Sequence, residues 1–287
     1  MNVVQAVLSG GLIGGLYALM AVGLSLTWGM LRVISVMHFA LILIGGYLAL
    51  QLNSSWGLDP LLSIVVTVPA LFLLGAGVQW AYDTFRLTEF NSLLVSFGLL
   101  IVVIQIATNI WTADFLGMES NRYAVGSIHL GRLVLPATTL LAFAFAVVLI
   151  VGAHLVLMRT FLGRAMRAFS QDRAVAAAFG IHDRTLAFLI AGVAGASAAV
   201  AGTIFVLGNH IAPTVPYNWF GTVFAVVILG GIGNLMGTLW AGIGVGVLSG
   251  LVATVWSPSA EPLVLFLAIA LALVLRPQGL FARSRVT

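Results

Sequence analysis

VVQAVLSGGLIGGLYALMAVGLSLTW, residues 3–28, stays uncharged for longer than the roughly 20 residues that cross a bilayer. No basic stretch precedes it and it outruns the apolar core of a secretory signal, so it is expected to remain as a membrane helix. Comparable apolar runs follow at 35–52, 60–80, 91–111, 133–157, 185–207, 218–236, 238–256 and 261–275. At about 20 residues per span plus connections, the length holds roughly eight to ten helices and leaves no sizeable soluble domain. Composition agrees: 61% of the 287 residues are hydrophobic, 7% are charged and the mean hydropathy is +1.16, far from soluble domains. The expectation is an all-α, polytopic transmembrane helix bundle, a single domain over 1–287. The runs beginning at Ser35 and Phe220 are also compatible with re-entrant or broken helices.

The one long polar interruption in the second half is RTFLGRAMRAFSQDRAVAAAFGIHDR, residues 159–184, which holds five of the twelve arginines. Its small-residue stretch from Ala174 to Gly180 reads as a helix of about two turns, marginal alone and in need of a partner to dock on. Placing this loop in the cytoplasm puts Arg32, Arg86 and the tail arginines Arg276, Arg283 and Arg285 inside as well, against Arg122 and Arg132 outside. That asymmetry satisfies the positive-inside rule, with the amino terminus outside and the carboxyl terminus inside. The net charge of +4 comes from arginine alone and reads as an orientation signal, with no nucleic-acid patch.

Glycine clusters at both ends of the chain. Gly10, Gly11, Gly14 and Gly15 form two overlapping GxxxG patterns, and Gly233/Gly237, Gly242/Gly246 and Gly246/Gly250 form three more. Such faces let helix backbones approach closely in lipid, either within this chain or between subunits. The GGIGN segment, Gly230 to Asn234, interrupts a continuous helix. It is either a tight cytoplasmic turn or backbone unwound at a cavity.

Among polar residues inside the runs, His38 either lines a polar path or bonds a neighbouring carbonyl. Gln105 and Asn109 share a face at i, i+4 near the outer end of a span, and His154 reads as an interface position. The eight acids, Asp59, Asp83, Glu89, Asp114, Glu119, Asp172, Asp183 and Glu261, all map to loops or span edges. Ion-coupled carriers usually keep a membrane-embedded acid. Motifs for hydrolysis, phosphate binding or metal binding are missing, and zero cysteine excludes disulfides, thiol catalysis and cysteine-ligated metal. The chain reads as a passage without its own motor. Two other classes stay in view: an intramembrane enzyme using His38 and His154 as acid or base, and a self-sufficient secondary carrier.

Five segments, in order, carry a family resemblance: GGLIGGLYALMAVGLSLTWGMLRVIS, HFALILIGGYLAL, RAMRAFSQDRAVAAAFGIHDR, GGIGNLMGTLWAG and LRPQGLF. Over nearly its whole length the chain resembles the membrane permease subunits of branched-chain amino acid ABC transporters, most closely the shorter, LivH-type subunit. The resemblance implies a multi-pass protein of the bacterial cytoplasmic (inner) membrane. It also implies a second related permease subunit, two cytoplasmic ATP-binding subunits that hold the ATP, and a periplasmic substrate-binding protein. No cofactor is then expected in this chain itself.

Family members dock a coupling helix of this loop on the ATPase, which here implies Asp172, Arg173, Val175, Ala176, Ala177, Phe179 and Gly180. The residue types suit that role. Asp172 can cap the helix start, Ala176 and Ala177 allow close approach, Val175 and Phe179 form an apolar ridge, and Gly180 can end the helix. Arg164 and Arg167 suit acidic membrane lipid or partner carboxylates. The alternative is an amphipathic helix lying on the membrane surface. A possible translocation path takes in Ser35, His38, Phe39, Gly230, Gly231 and Asn234. Where members commonly read INFAHG, this chain has Ile34, Ser35, Val36, Met37, His38 and Phe39, so a bulky ring replaces a glycine and the substrate is open. Leucine, isoleucine and valine are the default, with urea, short amides or other small hydrophobic acids as alternatives.

Overall fold

The computed structural model describes residues 2–118, 123, 126–130, 133–276 and 279–281. Helix α1 (Asn2–Leu31) is followed by α2 (Met37–Trp56), α3 (Ile64–Thr84) and α4 (Glu89–Trp111). A two-stranded antiparallel hairpin, β1 (Ser127–Leu130) and β2 (Leu133–Pro136), leads into α5 (Ala137–Arg159). Two short helices, α6 (Phe161–Gln171) and α7 (Arg173–Ala178), precede α8 (Asp183–Gly208), α9 (Pro216–Gly230), α10 (Leu235–Val255) and α11 (Glu261–Leu275). Among the described residues eight helical segments are long and apolar enough to cross a membrane, and α9 is a shorter apolar helix.

The centre is built from α1, α2, α8, α9 and α10, while α3, α4, α5 and α11 turn much of their apolar surface outward. Small residues decide who sits in the centre. Gly10 and Gly14 of α1 lie directly on the backbone of Gly246 and Gly242 of α10, and Gly250 lies on Ala6. The two glycine-rich ends of the sequence are thus one helix pair within the chain, with backbones too close for side chains. A second seam was not singled out in the sequence: Ala191, Gly195, Ala199 and Gly202 of α8 receive Gly75 and Leu71 of α3 and Gly45, Gly46 and Ile42 of α2.

The boundaries decide two open readings and correct a third. The apolar run at 218–236 is not one span, because α9 stops at Gly230 and Gly231 and Gly233 take positive φ of 84° and 81°. Asn234 then caps α10, its Oδ1 accepting from Gly237 N at 3.1 Å. The run starting at Ser35 is a full-length helix from Met37, with no break. The run at 133–157 opens in β2, since Leu133–Pro136 is apolar yet pairs as a strand before Pro136 leads into α5.

One end of the bundle collects the arginines. Arg173 reaches across to donate to the Leu31 carbonyl at the end of α1, and Arg32 shares a cavity with Gln171, Asp172 and Arg173. Arg86 follows α3 at the same end, where Tyr82 meets Ser35 at 3.4 Å. The tail returns there too: Leu280 N donates to Leu229 O at 2.9 Å. The opposite end carries the hairpin, Asp59, Asp114 and the Trp111 indole, which donates to Gln51 at 3.0 Å. Arg122, Arg132, Arg283, Arg285 and Glu119 fall outside the described residues.

Candidate functional site

The arginine-rich end is assembled from helix caps. Thr160 Oγ1 accepts from Gly163 N at 3.0 Å and starts α6, whose Gly163, Ala165, Met166 and Phe169 are buried. This helix escaped the sequence reading because its apolar residues are diluted by Arg164, Arg167 and Ser170; the 3.6-residue spacing was the available signal. Asp172 ends α6 and caps α7, with Oδ1 accepting from Val175 N at 3.0 Å. Gly180, at φ 80°, closes α7, and the Ile181 N–H turns back to Ala176 O at 3.2 Å.

The faces of α7 are unequal. Ala176 is buried in a cluster with Met30, Leu31, Phe169, Leu186 and Leu235. Val175 and Phe179 are 53% and 83% exposed, and Ala177 is exposed beside them. Ala176 therefore anchors the helix to its own bundle and is not part of the outward surface expected of it. Arg173 lies over the Phe169 ring at 4.9 Å while donating to Leu31 O, so it ties α7 to α6 and α1. Arg167 turns its guanidinium to the Met158 sulfur, and Arg164 lies over the Phe161 ring at 5.9 Å.

The residues considered for a path do not form one site. His38 is 2% exposed and its Nε2–H donates to the Met20 carbonyl at 3.0 Å, which is the carbonyl alternative. Gly23 leaves the space its ring fills. Phe39 is fully buried against Phe220 at 4.6 Å and Phe224 at 5.9 Å, and so joins α2 to α9 as a packing residue. Ser35 and His38 share a void of only about 30 Å³ with Gln79 and Tyr82. Gly231 and Asn234 instead line an open cavity of about 800 Å³ with His154, Arg167, Ser170 and Trp240. Gly230 is apart from both, pressed on Gly237 and Thr238. His38 and His154 thus line different cavities, and a shared acid–base site does not exist. The described residues contain no group of three or more His, Cys, Asp and Glu that could hold a metal. Gln105 and Asn109 bond each other at 3.2 Å on an exposed face of α4.

The GGIGN turn is instead a joint. Thr238 Oγ1 donates to Ser25 Oγ at 3.1 Å, Ser25 Oγ accepts from Gly233 N at 3.3 Å, and Asn234 Nδ2 donates to Phe281 O at 2.7 Å. Gly279, at φ 95°, fits against Gly231. Parts of three segments that carried the resemblance, the end of α1, the GGIGN turn and the Gly279–Phe281 end of LRPQGLF, therefore meet in space.

The comparisons with known proteins follow that pattern. The model of the family described as branched-chain amino acid transport system / permease component matches residues 7–275. The high-affinity branched-chain amino acid transport system permease protein BraD of Pseudomonas aeruginosa is 26% identical, with 98% of this chain and 96% of that protein covered. LivH of Escherichia coli K12, named in the same terms, is 24% identical over the same shares, and a probable LivH of Methanocaldococcus jannaschii is 24% identical over 80% of this chain and 75% of its own length. No solved structure matches the chain. The chain is a multi-pass membrane protein and belongs to the branched-chain amino acid transport system permease family.

Proposed function

We propose that this chain is a permease subunit of an ABC importer that moves branched-chain amino acids across the bacterial cytoplasmic membrane. The relatives covering almost the whole chain are named as permease proteins of high-affinity branched-chain amino acid transport systems. A second permease, two ATP-binding subunits and a periplasmic binding protein complete the machine. ATP is bound by the partner subunits, and this chain neither holds a cofactor nor performs a catalytic step.

The observation that carries the coupling role is the division of α7 into an anchored and a free face. Ala176 fixes the helix to the bundle while Val175 and Phe179 stand outward at the arginine-rich end. A helix of six residues is too short to be stable alone. Held by Asp172, Arg173 and Ala176, it can transmit a push from a partner seated on Val175, Ala177 and Phe179. Because α7 is capped onto α6 and tied to the end of α1, such a push reaches the central helices, whose small-residue seams are the surfaces able to slide in alternating access.

Affinity purification of the chain from its native membrane in mild detergent tests the reading. A second permease and P-loop ATPases should co-purify, with ATP hydrolysis, and the complex should take up leucine in vesicles. A chain that purifies alone and transports on an ion gradient would make it a secondary carrier.

A further inference from the structure

The open cavity of about 800 Å³ at the arginine-rich end lies between the end of α5, helix α6 and the GGIGN turn with the start of α10, and Gly29 and Met30 of α1 form its floor. Its charge is one-sided. Arg167 lines it half-buried, and among the described residues its guanidinium bonds only the Met158 sulfur, at 2.8 Å. A thioether is a weak, neutral acceptor, so it leaves the charge uncompensated. His154 stands one turn from Met158 on the same face of α5, and its ring forms no hydrogen bond among the described residues. On the facing wall Asn234 caps Gly237 N, while the Leu235 and Met236 N–H groups at the positive start of α10 meet no acceptor among the described residues. No carboxylate of the described residues lines the cavity; the nearest acid in sequence, Asp172, caps α7 instead.

The cavity also reaches the membrane flank. Gly242 and Gly246 turn α10 toward α1, and Trp240 and Gly244 lie on the opposite face, Trp240 55% exposed and Gly244 with open space beyond it. Register separates the two ends of the lining. Phe143 sits on Gly15 and Gly242 on Ala18, so His154 is level with about residue 26 of α1 and Trp240 with about residue 18. That is roughly 12 Å along the bundle axis. The basic end faces the cytoplasm, and the indole stands nearer the hydrocarbon, at the depth where tryptophan collects. No single polar group reaches both, whereas a ligand with a charged head and an apolar body does.

Arg167 is permanently charged and nothing in the lining balances a cation, so the ligand is an anion. Met236 and Trp240 line the part nearer the hydrocarbon, so it is also an amphiphile. A zwitterion, whether an amino acid or phosphatidylcholine, brings an ammonium that finds no carboxylate here, and a free phosphate leaves the apolar wall unused. We infer that an anionic phospholipid of the cytoplasmic leaflet binds in this cavity, its phosphate at Arg167, His154 and the start of α10 and its first chain carbons against Trp240. The site is independent of what the transporter carries.

Photo-crosslinking tests it. The assembled transporter is placed in phosphatidylcholine nanodiscs with a small fraction of phosphatidylglycerol bearing a diazirine near the start of one chain, and the labelled peptides of this chain are identified by mass spectrometry. Label should concentrate on the segment from Leu235 to Trp240, and unlabelled phosphatidylglycerol should compete where phosphatidylcholine does not. Arg167→Gln should lower this labelling roughly fivefold or more, while Arg167→Lys retains most of it. Arg164→Gln, on the same helix but outside the lining, should leave it unchanged. Ser170→Asp, which puts an acid into the lining, should abolish it and serves where Arg167→Gln folds poorly. Label spread evenly along the outward helices, equal competition by phosphatidylcholine, or labelling unmoved by Arg167→Gln and Ser170→Asp overturns the proposal. Competition by inorganic phosphate or by leucine gives the cavity to a soluble ligand, and its protection from label in the complex gives it to a partner subunit; either result overturns the lipid assignment. A complex that labels as expected but takes up no leucine leaves the lipid site standing and removes the transport reading.

Discussion

At Gly14 a methyl group would have to occupy the place of the Gly242 carbonyl, whereas a methyl at Gly244, on the same α10, meets nothing within 4 Å. The two glycines are alike in sequence and opposite in consequence. Gly14→Ala should destabilise the purified protein by roughly 2 kcal/mol or more, as overpacking against rigid backbone does, while Gly244→Ala should be neutral or slightly stabilising. Thermal unfolding in detergent measures both, and equal behaviour would count against the α1–α10 pairing. His38 calls for a different expectation. Buried and bonded to Met20 O, it fills space as well as a hydrogen bond, so His38→Ala should cost about 2 kcal/mol or more in stability while uptake per folded molecule persists. Uptake lost without loss of folded protein would return His38 to the path. The glycine pairing was legible because the spacing itself states the geometry. The partner of His38 was not, since a backbone carbonyl on another helix leaves no mark on the side-chain sequence.

Elements were legible where hydrophobicity alone defines them, and illegible where backbone conformation does. Eight of the nine apolar runs contain one helix, but in the run at 218–236 Ile232, Leu235 and Met236 carried the apolar signal straight across a turn made by Gly231 and Gly233 into α10. The loop helix was placed correctly because Asp172 and Gly180 are chemical stops, and α6 was missed because its buried face is only four residues. Burial now separates neighbours that composition could not. Ala177→Glu adds charge to an exposed face and should leave the protein in the membrane at normal level, while ATPase association and leucine uptake fall together by an order of magnitude or more. Ala176→Glu buries an unpaired carboxylate, so it should lower the amount of folded protein itself. Uptake and membrane level, measured on the same vesicles, distinguish the two. Normal transport by Ala177→Glu would remove α7 from the coupling role.

The molecule as a whole has a charge axis. Arg32, Arg86, Arg159, Arg164, Arg167, Arg173, Arg184 and Arg276 stand at or run toward one end, and the described part of the other end has the hairpin, Asp59, Asp114 and Glu261 with no arginine. Acids occur at both ends, so they do not set the direction; the arginines do, by resisting translocation. This makes orientation a consequence of the fold and not only of the count of runs, because the odd number of crossings puts the amino terminus opposite the 159–184 segment. Under the proposed function it also sets α7 on the side of the ATP-binding subunits. The absence of native cysteine lets the axis be read directly. Asp114→Cys and Gln171→Cys are both exposed and lie at opposite ends. An impermeant maleimide added to intact spheroplasts should label the first and spare the second, and inside-out vesicles should reverse the pattern. Labelling of Gln171→Cys from outside would invert the axis and leave α7 out of reach of a cytoplasmic ATPase.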